Sequence, residues 1–205
     1  MPLAVRTNTF ASGLLDLSIP AGQHLVRVHR LTNGAIWYGP TPGELPAYRF
    51  DAPSGEYRTL YCAQELTGAF VETVLRRARR IIARPFVDER GWTVLAPTRD
   101  LRLAKVFDEG LIHHGVTADI CAGDDYSMSQ RFAADLHAAF SNVDGIAYRA
   151  RHNNGQICYA LFDRVDAAAF VEVERHAFKD ERPMIDAIMQ LHGAVWDPMT
   201  PLPPR

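Results

Sequence analysis

Patterns typical of short β-strands and patterns typical of amphipathic helices follow one another along this chain. Residues 23–31, QHLVRVHRL, alternate apolar and polar side chains, which is the period of a half-buried strand and places Arg27 and His29 on one face. In residues 66–82 the apolar side chains recur every three or four positions instead, which predicts a helix that Pro85 ends. This mixture predicts an α/β fold.

Further elements are predicted by the same reasoning. Strand patterns occupy 58–63, 92–96, 145–150 and 156–162, and helical patterns run from about Ser129 to Phe140 and onward from Pro183. Between residues 32 and 57, prolines and glycines are too frequent for regular structure and predict long ordered loops, which in a compact domain are usually functional. A chain of 205 residues without repeats or a convincing linker is expected to form one domain.

Composition excludes several functional classes. The formal net charge of -2 creates no overall field that would attract nucleic acid or an anionic membrane. No apolar run is long enough to span a membrane and the first residues do not resemble a secretory signal, so we expect a cytoplasmic protein. Cys62, Cys121 and Cys158 are widely spaced, which indicates buried thiols rather than disulfides or a zinc site.

The common short motifs for dinucleotide, nucleoside triphosphate, zinc-protease and serine-hydrolase sites are absent from the sequence. Two clusters of polar residues could each form a binding site or could simply be exposed to solvent. The first could bind a metal but lacks a metal-specific spacing, so a solvated loop is the alternative: His113, His114, Asp119, Cys121, Asp124 and Asp125. The second could contact phosphates, nucleic acid or an acidic partner, or could form a solvated helix face: Arg76, Arg77, Arg79, Arg80 and Arg84.

One ordered series of residues suggests a site for an anion and a sugar. Arg27 and Arg49 lie in or beside a strand and a loop, while Tyr61 and Glu72 flank a strand-to-helix turn. In the helical projection Glu72 lies opposite the main apolar face. The alternative role for this glutamate is an ion pair with Arg76 one helical turn away, which contributes only about 0.3–0.5 kcal/mol.

The motifs around these residues resemble one known family. They are RVHR at 27–30, WYGP at 37–40, YRFDAP at 48–53 and LYCAQELTGAFVET at 60–73, followed by GDDYSMSQRFAADLH at 123–137 and DGIAYRARHNNGQICYALFDR at 144–164. In this order they look like the RES family, which is named for its arginine, glutamate and serine. The resemblance covers about residues 23–164.

The resemblance implies a single compact α/β domain similar to ADP-ribosyltransferase toxins. Its core would be residues 23–164, with residues 1–22 as an N-terminal extension packed on it and residues 165–205 as a C-terminal strand and helix segment with a tail. It implies a bacterial enzyme that degrades NAD+ without a metal, and an Xre-type antitoxin that blocks its site. A homodimer or a hetero-oligomer of toxin and antitoxin is then expected, without direct contact to nucleic acid or membrane.

The resemblance also assigns roles to the four residues of the series. Cleavage of the N-glycosidic bond of NAD+ builds positive charge on the ribose, which the Glu72 carboxylate would stabilise. Arg27 and Arg49 would hold the pyrophosphate or an attacking phosphate, and Tyr61 would stack on the nicotinamide or bond the ribose. Phosphate, water or a protein side chain remain open as acceptors, so the enzyme would be a phosphorylase, a glycohydrolase or an ADP-ribosyltransferase.

The family's serine does not carry over, because Ala150 stands at its position. Loss of one hydrogen bond predicts attenuation of about tenfold, and a domain that binds a nucleotide or a protein partner without turnover is the alternative. We include Ala150, Arg151 and His152 among the expected binding residues. Arg151 and His152 would compensate for the serine or be exposed loop residues. Ser127 and Ser129 would also compensate, or Ser129 would cap the following helix.

Overall fold

In the computed structural model, which describes residues 10, 12–76 and 81–199, most strands belong to one twisted sheet. Its strands are β1 (Asp16–Ile19), β2 (Leu25–Arg30), β3 (Thr59–Ala63), β5 (Arg90–Pro97), β6 (Leu101–Val106), β7 (Gly145–Ala150), β8 (Asn153–Phe162) and β9 (Phe170–Ala177). They lie in the order β1-β6-β7-β8-β3-β2-β5-β9. All neighbours are antiparallel except β6 and β7, which run parallel.

The helices are short. They are α1 (Leu66–Thr73), α2 (Arg84–Asp88), α3 (Glu109–His113), α4 (Asp119–Ala122), α5 (Ser127–Ala139) and α6 (Arg182–Leu191). Two 3₁₀ turns precede and follow β9, and a separate parallel pair joins β4 (Ile81–Ile82) to β10 (Val195–Trp196). Among the described residues, no helix has both the length and the apolar character needed to cross a membrane.

The two faces of the sheet form two apolar clusters, because side chains alternate along each strand. Along β7, Ile146, Tyr148 and Ala150 belong to the cluster that also contains the buried faces of α1, α5 and α6, whereas Ala147 belongs to the other cluster. Phe70 of α1 is fully buried in the first cluster. The face that carries α1 is therefore the face on which Glu72 approaches β7.

The mixed α/β architecture and most of the predicted strands are confirmed, and β7 has the predicted bounds. The predicted helix 66–82 is wrong in its second half, because α1 ends at Thr73 and Ile81–Ile82 pair with β10 instead. Apolar periodicity cannot detect such a pairing between distant segments. Pro85 does not end a helix but lies in the first turn of α2, where a missing N–H is tolerated.

Two further predictions are corrected by the structure. Ser129 does not cap α5, because it lies inside that helix, is buried, and donates its hydroxyl to the Tyr126 carbonyl oxygen at 2.9 Å. The arginine cluster does not share one helix: Arg76 follows the end of α1 and Arg84 begins α2, while Arg77, Arg79 and Arg80 lie outside the described residues. Strands β1 and β6 were not predicted.

Candidate active site

A cleft opens where two neighbouring strands of the sheet stop pairing. Strands β2 and β3 are paired at Val26 and Ala63. Beyond that point Thr59 exchanges main-chain hydrogen bonds with Gly39 instead, at 2.7 and 3.0 Å, while β2 continues to pair with β5 on its other side. The loop around Gly39 thus takes the place of β2 along β3, and a gap remains between the two strands.

The gap opens into a cavity of about 680 Å³, a size typical of small-molecule sites. Its lining includes Arg27 of β2, Tyr61 of β3, Glu72 of α1, Arg49 of the long loop, and Arg151 after β7. Five of the residues expected at the site therefore come from five separate segments and meet at one cavity.

Arg27 lies at the point where the strands diverge. Its guanidinium donates to the carbonyl oxygens of Tyr61 at 3.3 Å and Trp37 at 2.9 Å, so it bridges β3 and the loop that replaces β2. The residue is 7% exposed, and burial lowers its pKa to about 10, which still leaves it charged at neutral pH. Its Nε atom is buried without a hydrogen-bond partner among the described residues.

Arg49 reaches the cavity from the long loop between β2 and β3. Its Nη1 atom donates to the carbonyl oxygens of Gly123 at 3.0 Å and Ile120 at 3.3 Å, and its guanidinium lies 4.6 Å from the centre of the Tyr126 ring. Within the described part of the chain, neither Arg49 nor Arg27 has a carboxylate at salt-bridge distance. Two buried positive charges without an acidic partner suit a cavity for an anion.

Glu72 is held by the end of β7. One carboxylate oxygen accepts the Arg151 backbone N–H at 3.0 Å, and the other lies 3.5 Å from the Tyr148 hydroxyl. Burial raises the pKa of Glu72, and the Arg151 N–H and the positive charge of Arg49 partly oppose this shift. The expected ion pair with Arg76 does not form: the Arg76 guanidinium lies 5.0 Å from the centre of the Tyr48 ring, at the cavity wall.

Tyr61 uses its hydroxyl within the protein. The oxygen accepts the Phe50 backbone N–H at 2.9 Å, and the hydroxyl donates to Asp51 at 3.0 Å. Burial, and next the nearby Asp51 charge, raise the pKa of Tyr61 well above its ordinary value. The hydroxyl therefore stays protonated, and it is the ring of Tyr61 that is available to a ligand.

The end of β7 and the segment after it contain the remaining expected residues. Ala150, the last residue of β7, is fully buried, lies on the same sheet face as Tyr148 and does not line the cavity. Arg151 lines the cavity and pairs with Asp124 at 2.7 Å. His152 is exposed and outside the lining, and its ring donates to the Arg76 carbonyl oxygen at 3.0 Å.

Sequence reasoning missed the aromatic part of the wall. Trp37, Tyr48, Tyr126 and Tyr148 all line the cavity. Trp37 and Tyr48 belong to the long loop that was expected to be functional, and all four residues lie within the motifs that resemble the RES family. Neither Ser127 nor Ser129 lines the cavity. The described residues contain no group of three or more side chains that could bind a metal, and the three cysteines are buried and free.

Comparison with known protein families agrees with the resemblance that the motifs indicate. The sequence profile of the RES domain matches residues 24–184. The chain belongs to the RES family. A comparison with curated protein sequences gave no significant match.

The fold of this RES protein also occurs in a solved structure. A chain of the crystal structure of the M. tuberculosis MbcT–MbcA toxin–antitoxin complex matches with a TM-score of 0.62 and 17% sequence identity. The match covers 87% of this chain and 92% of that chain. At this identity the likeness establishes the shared fold.

Proposed function

We propose that this RES protein is a toxin-type enzyme that binds NAD+ in the cavity and cleaves its nicotinamide N-glycosidic bond. The observation that carries the proposal is that arginine guanidinium groups and a glutamate carboxylate line one cavity. Arg27 and Arg49 are buried without an acidic partner in the described part of the chain, and the Glu72 carboxylate lines the same cavity and accepts the Arg151 N–H. Arginines bind a pyrophosphate, and a carboxylate stabilises a ribose cation.

The bond between C1′ of the ribose and the ring nitrogen of nicotinamide breaks, and nicotinamide leaves with the electron pair. The ribose then carries positive charge until an acceptor adds to C1′. Glu72, held by the Arg151 N–H, would face this charge, while the arginines fix the phosphates and the ring of Tyr61 or another wall aromatic packs on a base. Phosphate, water and a protein side chain are all acceptors compatible with this step.

The proposal includes an antitoxin partner of the Xre type that covers the cavity. Two facts support a partner of this kind: membership of the RES family, and the fold shared with a chain of a toxin–antitoxin complex. Co-expression from the native operon, followed by purification through a tag on this chain, is expected to recover the partner and to suppress NAD+ loss. Recovery of this chain alone, with full activity, would contradict the partner.

Release of nicotinamide from NAD+ by the purified protein tests the activity. We expect turnover in the wild type, measured by chromatography with and without inorganic phosphate. Stimulation by phosphate, with ADP-ribose 1″-phosphate as product, identifies a phosphorylase, whereas equal rates with ADP-ribose as product identify hydrolysis. Label from NAD+ appearing on protein identifies transfer to a side chain. Absence of nicotinamide release both with and without inorganic phosphate contradicts the proposal.

One observation favours a second candidate, a domain that binds without turnover. Ala150 occupies the position of the family's serine and presents only a methyl group on the face of the sheet that carries Glu72. In this candidate NAD+ binds, as measured by calorimetry, and no nicotinamide is released. Any turnover that depends on Glu72 excludes it.

The Ala150→Ser variant is expected to raise kcat about tenfold, because it restores one hydrogen bond near the Glu72 carboxylate. Its melting temperature should stay near that of the wild type, since the new hydroxyl finds a partner. Ala147→Ser is the matched control, because Ala147 is equally buried on the same strand but belongs to the opposite apolar cluster. This control should lose stability without gaining activity. Equal rates for Ala150→Ser and the wild type would refute the role of the missing hydroxyl.

A further inference from the structure

A buried aspartate outside the expected site holds the loop that carries Arg49. Asp51 is completely buried. One of its carboxylate oxygens accepts the backbone N–H groups of Ala47 at 2.9 Å and Tyr48 at 2.8 Å, and the other accepts the Tyr61 hydroxyl at 3.0 Å. A buried carboxylate is costly unless donors satisfy it, and here three donors converge on it.

The Tyr61 hydroxyl extends this connection to a third point of the loop. It accepts the Phe50 N–H at 2.9 Å while donating to Asp51. The Phe50 carbonyl oxygen in turn accepts the Tyr57 hydroxyl at 3.0 Å and the Thr59 hydroxyl at 3.2 Å. The main chain on both sides of Arg49 is therefore tied to strand β3 and the residues just before it.

This arrangement matters for the cavity because, among the described residues, no carboxylate lies at salt-bridge distance from Arg49. Its guanidinium is placed by the Gly123 and Ile120 carbonyl oxygens and by the course of its own backbone. The same aspartate fixes the backbone of Tyr48, whose ring forms part of the cavity wall, and the hydroxyl end of Tyr61. Three wall residues thus depend on one carboxylate.

We propose that Asp51 is a positioning residue for substrate binding: it holds Tyr48, Arg49 and Tyr61 in the arrangement that receives the anionic part of the ligand. This inference rests on the proposed function, because it assigns those wall residues to NAD+ binding. Preorganised arginines bind a phosphate without a further ordering cost, so loss of the carboxylate should appear mainly in KM.

The test compares Asp51→Asn and Asp51→Ala in kcat, KM for NAD+, melting temperature and amide hydrogen exchange. Asparagine keeps one acceptor oxygen but cannot accept from all three donors, so KM should rise about tenfold with kcat changed less than about threefold. Alanine should raise KM about 100-fold if the variant folds. In Asp51→Ala, which leaves no acceptor oxygen, the Ala47 and Tyr48 amides should exchange faster than in the wild type.

Asp144→Asn is the matched control. Asp144 is also buried, accepts a backbone N–H from Arg102 and pairs with Arg99, and it lies outside the cavity lining. It should lower the melting temperature and leave KM unchanged. If Asp51→Asn behaves in the same way, with the KM of the wild type, Asp51 is purely structural and the inference is wrong.

Hydrogen exchange separates this inference from the proposed function, because it needs no substrate. A wild type without nicotinamide release contradicts the proposed function and, with it, the assignment of the held residues to NAD+. Faster exchange at residues 47 and 48 in Asp51→Ala would still support the role of Asp51 in holding the loop. Unchanged exchange in Asp51→Ala would contradict that role even in an active enzyme.

Discussion

Replacing Glu72 by glutamine is expected to lower kcat for nicotinamide release by about 10²–10³-fold, the usual cost of removing one group that stabilises transition-state charge. Glutamine has nearly the same shape and can still accept the Arg151 N–H, so the local structure should be retained. The measurement is the initial rate of nicotinamide release at saturating NAD+. Asp135→Asn, an exposed change on α5 without a hydrogen bond among the described residues, should match the wild type.

The pH dependence should follow the same carboxylate. Burial favours the neutral acid and raises the pKa of Glu72 above the ordinary value of 4.5, so the charged form is present only above the shifted value. We expect kcat/KM to fall as the pH decreases through this pKa. If the acid limb of the kcat/KM profile has its midpoint at or below pH 4.5, Glu72 is not the group that controls it.

The stability of the Glu72→Gln variant provides an independent check. A carboxyl group whose pKa is higher in the folded protein than in the unfolded chain stabilises the fold at low pH and loses that contribution as the pH rises through the folded pKa. At neutral pH the buried charge is therefore unfavourable to folding. The variant should melt no lower than the wild type, and a large loss of stability would show that Glu72 is structural.

Replacing Arg27 by methionine is expected to raise KM for NAD+ about 100-fold, because charge-assisted hydrogen bonds to phosphate contribute about 1.5–3 kcal/mol each. Methionine keeps most of the apolar length of the side chain. It also removes a charge that is desolvated and has no acidic partner among the described residues, so we expect the melting temperature to stay equal or rise. Calorimetry with NAD+ and thermal melting measure the two effects.

Arg164→Met is the matched control for this substitution. Arg164 also donates only to main-chain carbonyl oxygens, those of Phe140, Val143 and His137 at the end of α5, and it lies outside the cavity lining. Loss of the Arg164 guanidinium should leave KM unchanged and lower the melting temperature. The expected decrease is about 2–4 °C for each kcal/mol lost from the free energy of unfolding. If Arg27→Met instead loses stability and keeps its affinity, Arg27 is a structural bridge between strand and loop.

Local sequence patterns were sufficient for several strands. The alternation in β2 predicted a strand, and β7 was predicted with its observed bounds, although the structure buries side chains on both faces of each strand. The spacing of the family's motifs was sufficient to select Arg27, Arg49, Tyr61 and Glu72, which the structure brings to one cavity. Periodicity alone would have assigned Glu72 to an exposed ion pair with Arg76.

Only the tertiary structure decided where the cavity lies and what fixes its walls. The cavity exists because β2 and β3 stop pairing after Val26, and a sequence pattern reports the faces of a strand but not the point at which its partner leaves. Asp51 was not predicted, because its three donors come from the loop and from β3, which are close only after folding. The sequence by itself determined which residues carry charge and where several of the strands form. The separation of two strands determined that those charges share one site.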